Sequence, residues 1–307
     1  MNVFVSAYAA APPASPWDRV AEGALFDGLA GMDLAGLELP FYGRLHAHDD
    51  AWLVAQLRPG WRYILTLLPG TMNRLKDDPR FGLASDDAGG RRRALDFAET
   101  ARLAVERLNG HFSAKVVAAV TLHSAPRPTG NGAGSSPENF SDSLSELRAR
   151  DWDSAELLVE HCDAAVPEHA PDKGFLRLED ECAALKLSSG PAPARILINW
   201  GRSAIEARSA EGPREHIRRA RESGRLAGLF FSGATPTHPD YGAWKDSHAP
   251  FSASCPASIL TPAEAKTAVK EAGQLSYLGL KIQPLPATLG VPERLTMIRA
   301  GLNVLRT

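Results

Sequence analysis

The sequence predicts an α/β protein, a single (β/α)8 barrel running over residues 1–307. Three observations point there. Short, unbroken apolar runs of the kind buried on both faces alternate with amphipathic helical stretches eight times along the chain. The turn after the first run, YAAAPP, lacks the glycine-rich spacing that a nucleotide-binding open sheet needs there. The connections from helix to strand are short, whereas several from strand to helix are long, and barrels carry their sites on that second face.

The elements follow in order. Val3–Tyr8 (VFVSAY) is the first strand, and Ser15-Pro16-Trp17-Asp18 reads as a capping box opening a helix to about Leu29. Ala35–Leu39 is the second strand, with Asp49 or Asp50 capping the next helix to about Leu57. Arg62–Leu67 is the third strand, followed by a long loop over 68–90 and a helix over Arg91–Leu108. Lys115–Leu122 is the fourth strand. Ser136-Pro137 starts a helix to about Arg150, and Glu156–Asp163 (ELLVEHCD) is the fifth strand, its apolar run ending on an acid and a base. Leu178–Leu187 is helical, Arg195–Ile198 is the sixth strand, and a helix begins at Gly212-Pro213-Arg214-Glu215. Leu226–Phe231 is the seventh strand, Thr261-Pro262-Ala263-Glu264 another capping box, Tyr277–Ile282 the eighth strand and Pro292–Leu305 the last helix. The stretch 124–137, rich in Pro, Gly and Ser, reads as a loop inside the barrel. Its GNGAG segment (Gly130–Gly134) lacks the position and spacing of a phosphate loop.

Composition narrows the function. Hydrophobic residues make up 44% of the 307 residues, enough for a large core. The net charge of −2 gives no reason to expect nucleic acid or an anionic membrane as partner. No apolar run approaches the roughly 18 residues of a transmembrane helix, and the N-terminus lacks the basic start of a signal peptide. Cys162, Cys182 and Cys255 match no disulfide framework or zinc spacing, so a cytoplasmic protein with reduced thiols is expected. A homo-oligomer is compatible with all of this.

Residues at strand ends face a barrel's mouth. Here they are Tyr8, Glu38, Thr66, His123, Glu160 with His161, Asn199 with Trp200, Ser232, and Lys281 with Gln283. Carboxylates set in apolar strands are costly without a purpose, which singles out Glu38 and Glu160. Neighbouring strand residues face opposite ways, so at most one of Glu160 and His161 points into the barrel unless the strand has already ended there, and Glu160 is favoured. Lys281 needs an anionic partner if buried, and Glu160 across the mouth is the candidate. The segment 232–250, with Tyr241, Trp244, Asp246 and His248, reads as a lid bearing aromatic and charged contacts. His46-Ala47-His48 resembles a metal pair weakly, with Asp49 and Asp50 explained as caps, and Arg91–Arg93 reads as a solvated helix start.

With GLELP at the second strand and LLVEHCD at the fifth, the chain resembles the xylose-isomerase-like TIM barrels, a superfamily of sugar isomerases, ketose epimerases and lyases. The likeness covers almost the whole chain in element order. It implies a divalent ion held at the ends of the fifth to eighth strands by Glu, Asp, His and Glu. The matching positions here are Glu160, Asn199, Ser232, and Lys281 or Gln283, so only the first survives and no metal of the family's kind is assigned. Lys281 is expected to stand in for the charge of the ion.

The sequence therefore predicts a sugar isomerase- or epimerase-like enzyme acting on a sugar or similar carbonyl compound, with no assigned cofactor. Glu160 or His123 is the expected base and Lys281 the stabiliser. Tyr8, Glu38, His161, Asn199, Trp200, Ser232, Trp244, Asp246 and His248 are the expected substrate contacts. Two alternatives stand beside it: a metal-dependent isomerase with substitute ligands such as His161 or His248, and a carbohydrate-binding or regulatory barrel without catalysis.

Overall fold

The computed structural model describes residues 3–128 and 134–306. Gly130–Gly134, apart from Gly134 itself, lies outside the described residues. Eight parallel strands close into a barrel in chain order: β1 (Phe4–Ser6), β2 (Gly36–Pro40), β3 (Arg62–Thr66), β4 (Val117–Leu122), β5 (Glu156–His161), β6 (Ala194–Asn199), β7 (Leu226–Phe231) and β8 (Tyr277–Leu280). Closure comes from β1 pairing with β8, Val5 opposite Leu280.

The helices are α1 (Ala7–Ala10), α2 (Arg19–Ala30), α3 (Asp50–Gln56), α4 (Leu68–Asp77), α5 (Ala88–Phe112), α6 (Pro137–Arg148), α7 (Leu178–Leu187), α8 (Trp200–Ala207), α9 (Glu211–Glu222), α10 (Pro262–Ala272) and α11 (Val291–Arg306). Three differences from the sequence reading matter. The cap of α2 is Asp18, which accepts from Val20 N and Ala21 N, not Ser15. Leu68–Asp77 is helix rather than loop, started by a Pro in its first turn. And α8 begins immediately after β6, with no loop, because Asn199 both ends the strand and caps the helix.

Strand periodicity divides the core into two layers. Along β5, Leu157 and Val159 join the large apolar layer between strands and helices, while Leu158 joins a smaller cluster with Phe4, Ile64, Leu197 and Phe230 inside the barrel. Side chains alternate along a strand. The same parity turns Glu38, Thr66, Glu160, Asn199, Ser232 and, just past β8, Lys281 inward at the C-terminal end. That layer is polar. The opposite end is closed by Glu156, which takes a hydrogen bond from Tyr277 Oη at 3.0 Å and pairs with Arg195. Among the described residues no helix is long and apolar enough to cross a membrane.

Candidate functional site

Glu38 comes from β2, Glu160 from β5 and Lys281 from the residue after β8; all three side chains are fully buried. Lys281 Nζ lies 3.0 Å from Glu38 Oε1 and 3.4 Å from Glu160 Oε1, so the expected Lys281–Glu160 contact is present with Glu38 added to it. His123, just past β4, places Nε2 3.1 Å from Glu160 Oε2. Asn199 donates to Glu160 Oε1 at 3.2 Å and accepts from Ser232 Oγ at 2.8 Å.

Arg202, which the sequence reading did not single out, completes the cluster. Asn199 Oδ1 accepts from Arg202 N at 3.3 Å and so aims the first turn of α8. Gly201 lets that turn close on β7, since a Cβ there would meet Ser232 Oγ at 2.4 Å. The Arg202 side chain is fully buried, with Nη1 2.7 Å from Glu160 Oε1 and Nε donating to Asp246 Oδ2 at 3.0 Å. The Glu160 contact is one of charge, because neither Nη has a well-directed acceptor. Lys173 adds a second cation 3.2 Å from Asp246 Oδ2. The Asn199 cap marks where α8 starts, but no local pattern shows that the Arg202 side chain turns inward.

These surroundings separate the two carboxylates. Burial raises the pKa of Glu38, only partly countered by Lys281. Burial also opposes ionisation of Glu160, but Arg202 and Lys281 outweigh it and hold that group well below the usual carboxylate range. Burial lowers His123 against the pull of Glu160, keeping it neutral. Several buried polar atoms here have no hydrogen-bond partner: Glu38 Oε2, His123 Nδ1, Thr66 Oγ1, and the facing atoms Asp246 Oδ1 and His248 Nδ1, which are 3.2 Å apart. Burial lowers His248 to about 3, despite Asp246.

A hollow of about 450 Å³ opens beside this layer, walled by Tyr8, Trp17, His46, Asp246, His248 and Gln283. Lys281 and the two glutamates do not line it. Tyr8 does, and its ring centroid is 5.4 Å from Lys281 Nζ. Trp17 and His46 were missed as wall residues because their loops reach the mouth only in the folded chain. Trp17 Nε1 donates to Glu22 Oε2 at 2.7 Å, and His46 Nε2 meets the same oxygen at 3.2 Å. Of the suggested metal pair, His46 Nδ1 accepts from His48 N and Asp49 N, and His48 Nε2 contacts Ala14 O, so both rings are engaged in holding the loop.

The remaining expected residues lie elsewhere. Trp200 is buried in the main core. Trp244 packs against that core under the Arg208 guanidinium, 5.3 Å from its ring. His161 faces outward, as strand alternation requires, between Glu181 and Glu206 at 2.7 and 3.1 Å.

The family model for a domain of unknown function, DUF4862, matches residues 4–297. The chain belongs to this family. A relative at the sequence level is the uncharacterized protein STM3670 of Salmonella typhimurium, 33% identical over 276 residues, covering 89% of this chain and 86% of the relative. Among solved structures, a putative xylose isomerase from Rhodospirillum rubrum superposes with a TM-score of 0.63 at 13% identity, covering 100% of this chain and 98% of that one. D-psicose 3-epimerase from Clostridium cellulolyticum H10, solved with D-tagatose, gives 0.59 at 12% identity with the same coverage. The DUF4862 chain thus has the xylose-isomerase-like TIM barrel fold.

The divalent ion implied by that fold does not fit the matching residues. Lys281 and Arg202 already set cationic nitrogens 3.4 and 2.7 Å from Glu160 Oε1, the one anionic group retained. A further double charge would repel both.

Proposed function

We propose that this DUF4862 protein is an enzyme of the sugar isomerase and epimerase kind, taking a proton from the carbon next to a carbonyl in a sugar-like substrate. The observation that carries this is the pair of buried carboxylates, Glu38 and Glu160, brought from opposite sides of the barrel onto the one Lys281 ammonium. Environments that push two acids apart assign their roles. Glu38, with a raised pKa and an oxygen free of partners, is the base; Glu160 stays ionised and anchors Lys281 and Arg202. This differs from the expectation that Glu160 or His123 is the base.

In the step, the C–H bond breaks, its proton passes to Glu38, and the electron pair moves into an enolate whose oxygen faces the Lys281 ammonium. Transfer of the adjacent hydroxyl's proton to the enolate oxygen, with return of the Glu38 proton to the former carbonyl carbon, gives the isomer. Return of a solvent proton to the same carbon from the opposite face, with Glu38 then releasing the one it took, gives the epimer. Substrate enters from the hollow past Tyr8. The likeness in fold to a D-psicose 3-epimerase supports the substrate class.

A second reading, a sugar-binding barrel without turnover, is favoured by the full burial of Glu38, Glu160 and Lys281 away from the hollow. Incubation with a panel of ketoses and aldoses in D2O, followed by NMR, separates the two. Exchange of the proton next to the carbonyl, lost in Glu38→Gln, is the expected result. Sugar binding without exchange leaves the second reading, and neither binding nor exchange overturns both.

A further inference from the structure

Behind Glu160, on the outer face of the barrel wall, sits a second buried cluster that the proposed reaction does not use. His161 Nε2 lies 3.1 Å from Glu206 Oε2, and His216 Nε2 lies 3.4 Å from Glu206 Oε1. The ligand atoms of this trio fall within 4.8 Å of one another, the one group of His, Cys, Asp or Glu among the described residues that does so. Donors held at ~2.0–2.2 Å by a tetrahedral ion stand roughly 3.4 Å apart, the spacing that His216 Nε2 and Glu206 Oε1 already have.

The other nitrogen of each ring is held from behind. His161 Nδ1 meets Glu181 Oε2 at 2.7 Å, and Glu181 is fixed in turn by Ser124 Oγ, which donates to its Oε1 at 2.6 Å. His216 Nδ1 meets Ser203 Oγ at 2.9 Å. Metal-bound histidines almost always have their second nitrogen anchored in this way, which orients the ring, and the ion takes the facing nitrogen of His161 by displacing to solvent the proton it shares with Glu206. Glu206 Oε2 also accepts from Ala164 N at 2.8 Å, so its Oε1 is the more open oxygen. Access exists as well: Glu206 and His216 line a surface hollow of about 480 Å³.

We propose that His161, Glu206 and His216 form a three-ligand site for a zinc-class divalent cation, with water in the fourth position, clipping β5 to α8 and α9. Two imidazoles and one carboxylate suit Zn²⁺ and its transition-metal neighbours rather than Ca²⁺ or Mg²⁺, which take oxygen ligands. The clip joins the strand that carries Glu160 to the helix that carries Arg202. Its role is to hold those two groups in register from outside the barrel, and it takes no part in the reaction.

The test uses untagged, chelator-stripped full-length protein titrated with Zn²⁺ by calorimetry and with Co²⁺ by visible absorption. One equivalent is expected, with the Co²⁺ bands of a tetrahedral nitrogen and oxygen site and a rise in Tm on adding Zn²⁺. Glu206→Gln and His216→Ala should each abolish that equivalent. Ser203→Ala, which leaves all three ligands in place and is the milder change for folding, should weaken it about 10–100-fold. No binding and no Tm rise in the wild type overturns the site, the cluster then being an imidazolium held by two carboxylates. Stoichiometric binding that survives in a folded Glu206→Gln or His216→Ala protein also overturns it, placing the ion elsewhere.

Discussion

Lys281 Nζ stands 3.0 Å from Glu38 Oε1, although the two residues are 243 positions apart in the chain. Only β1 separates their strands in the closed barrel, so closure itself makes the pair. Removing one partner of a buried ion pair leaves an uncompensated charge. Lys281→Met is expected to cost about 3–5 kcal/mol in urea unfolding, because two carboxylates then share no ammonium. Adding Glu38→Gln to that variant should recover part of the loss. A Lys281→Met protein as stable as the wild type would show that the pairing contributes nothing.

Glu38→Gln and Glu160→Gln should behave differently. Glu160 still pairs Lys281 when Glu38 is replaced by a neutral amide, so that change should cost under about 2 kcal/mol of stability. Turnover should nonetheless fall about 10²–10⁴-fold, the usual worth of a positioned base. Glu160→Gln strands both Arg202 and Lys281 and should cost stability as well, about 3–5 kcal/mol. Unfolding curves and exchange rates on both variants check the split.

Acid should destabilise the protein early. His248 is lowered to about 3, against an ordinary value of 6.5. The unfolded chain therefore binds the proton first. The stability is fully present above about pH 6.5 and is lost as pH falls toward 3, with a slope approaching ~1.4 kcal/mol per pH unit. His123 is lowered too and adds in the same direction, while Glu38, raised, opposes it. His248→Gln removes one of these contributions and should flatten unfolding free energy against pH between 6.5 and 4. Equal slopes in variant and wild type would contradict a neutral, buried His248.

Trp17 should act on binding alone. Its ring stacks on His48 with centroids 5.0 Å apart and lines the hollow, which Glu38, Glu160 and Lys281 do not. Trp17→Ala removes a stacking surface worth ~1–1.5 kcal/mol, so KM for the substrate should rise about tenfold with kcat little changed. A fall in kcat without a rise in KM would place Trp17 in catalysis instead.

The barrel and its polar layer were legible because strand alternation is local. Leu157, Leu158 and Val159 fix the parity of β5, and with it the inward Glu160 and the outward His161. The same counting places Glu38 and Lys281 inside. Arg202 was not legible as a site residue: a charge in the first turn of a helix usually points to solvent, and only the cap by Asn199 and the close packing at Gly201 turn it under the mouth. Trp17 and His46 escaped for a related reason, since nothing in loop composition tells which strand end a loop covers.

Sequence by itself thus determined the fold, the order of the strands and which side of each strand faces the barrel. Those follow from periodicity within a few residues. Tertiary structure alone decided which charges pair, that Glu38 rather than Glu160 is the carboxyl with the raised pKa, and that His161 meets Glu206 and His216 behind the wall. Pairing depends on ring closure and on burial, both of which join residues far apart in the chain, and no local pattern encodes either.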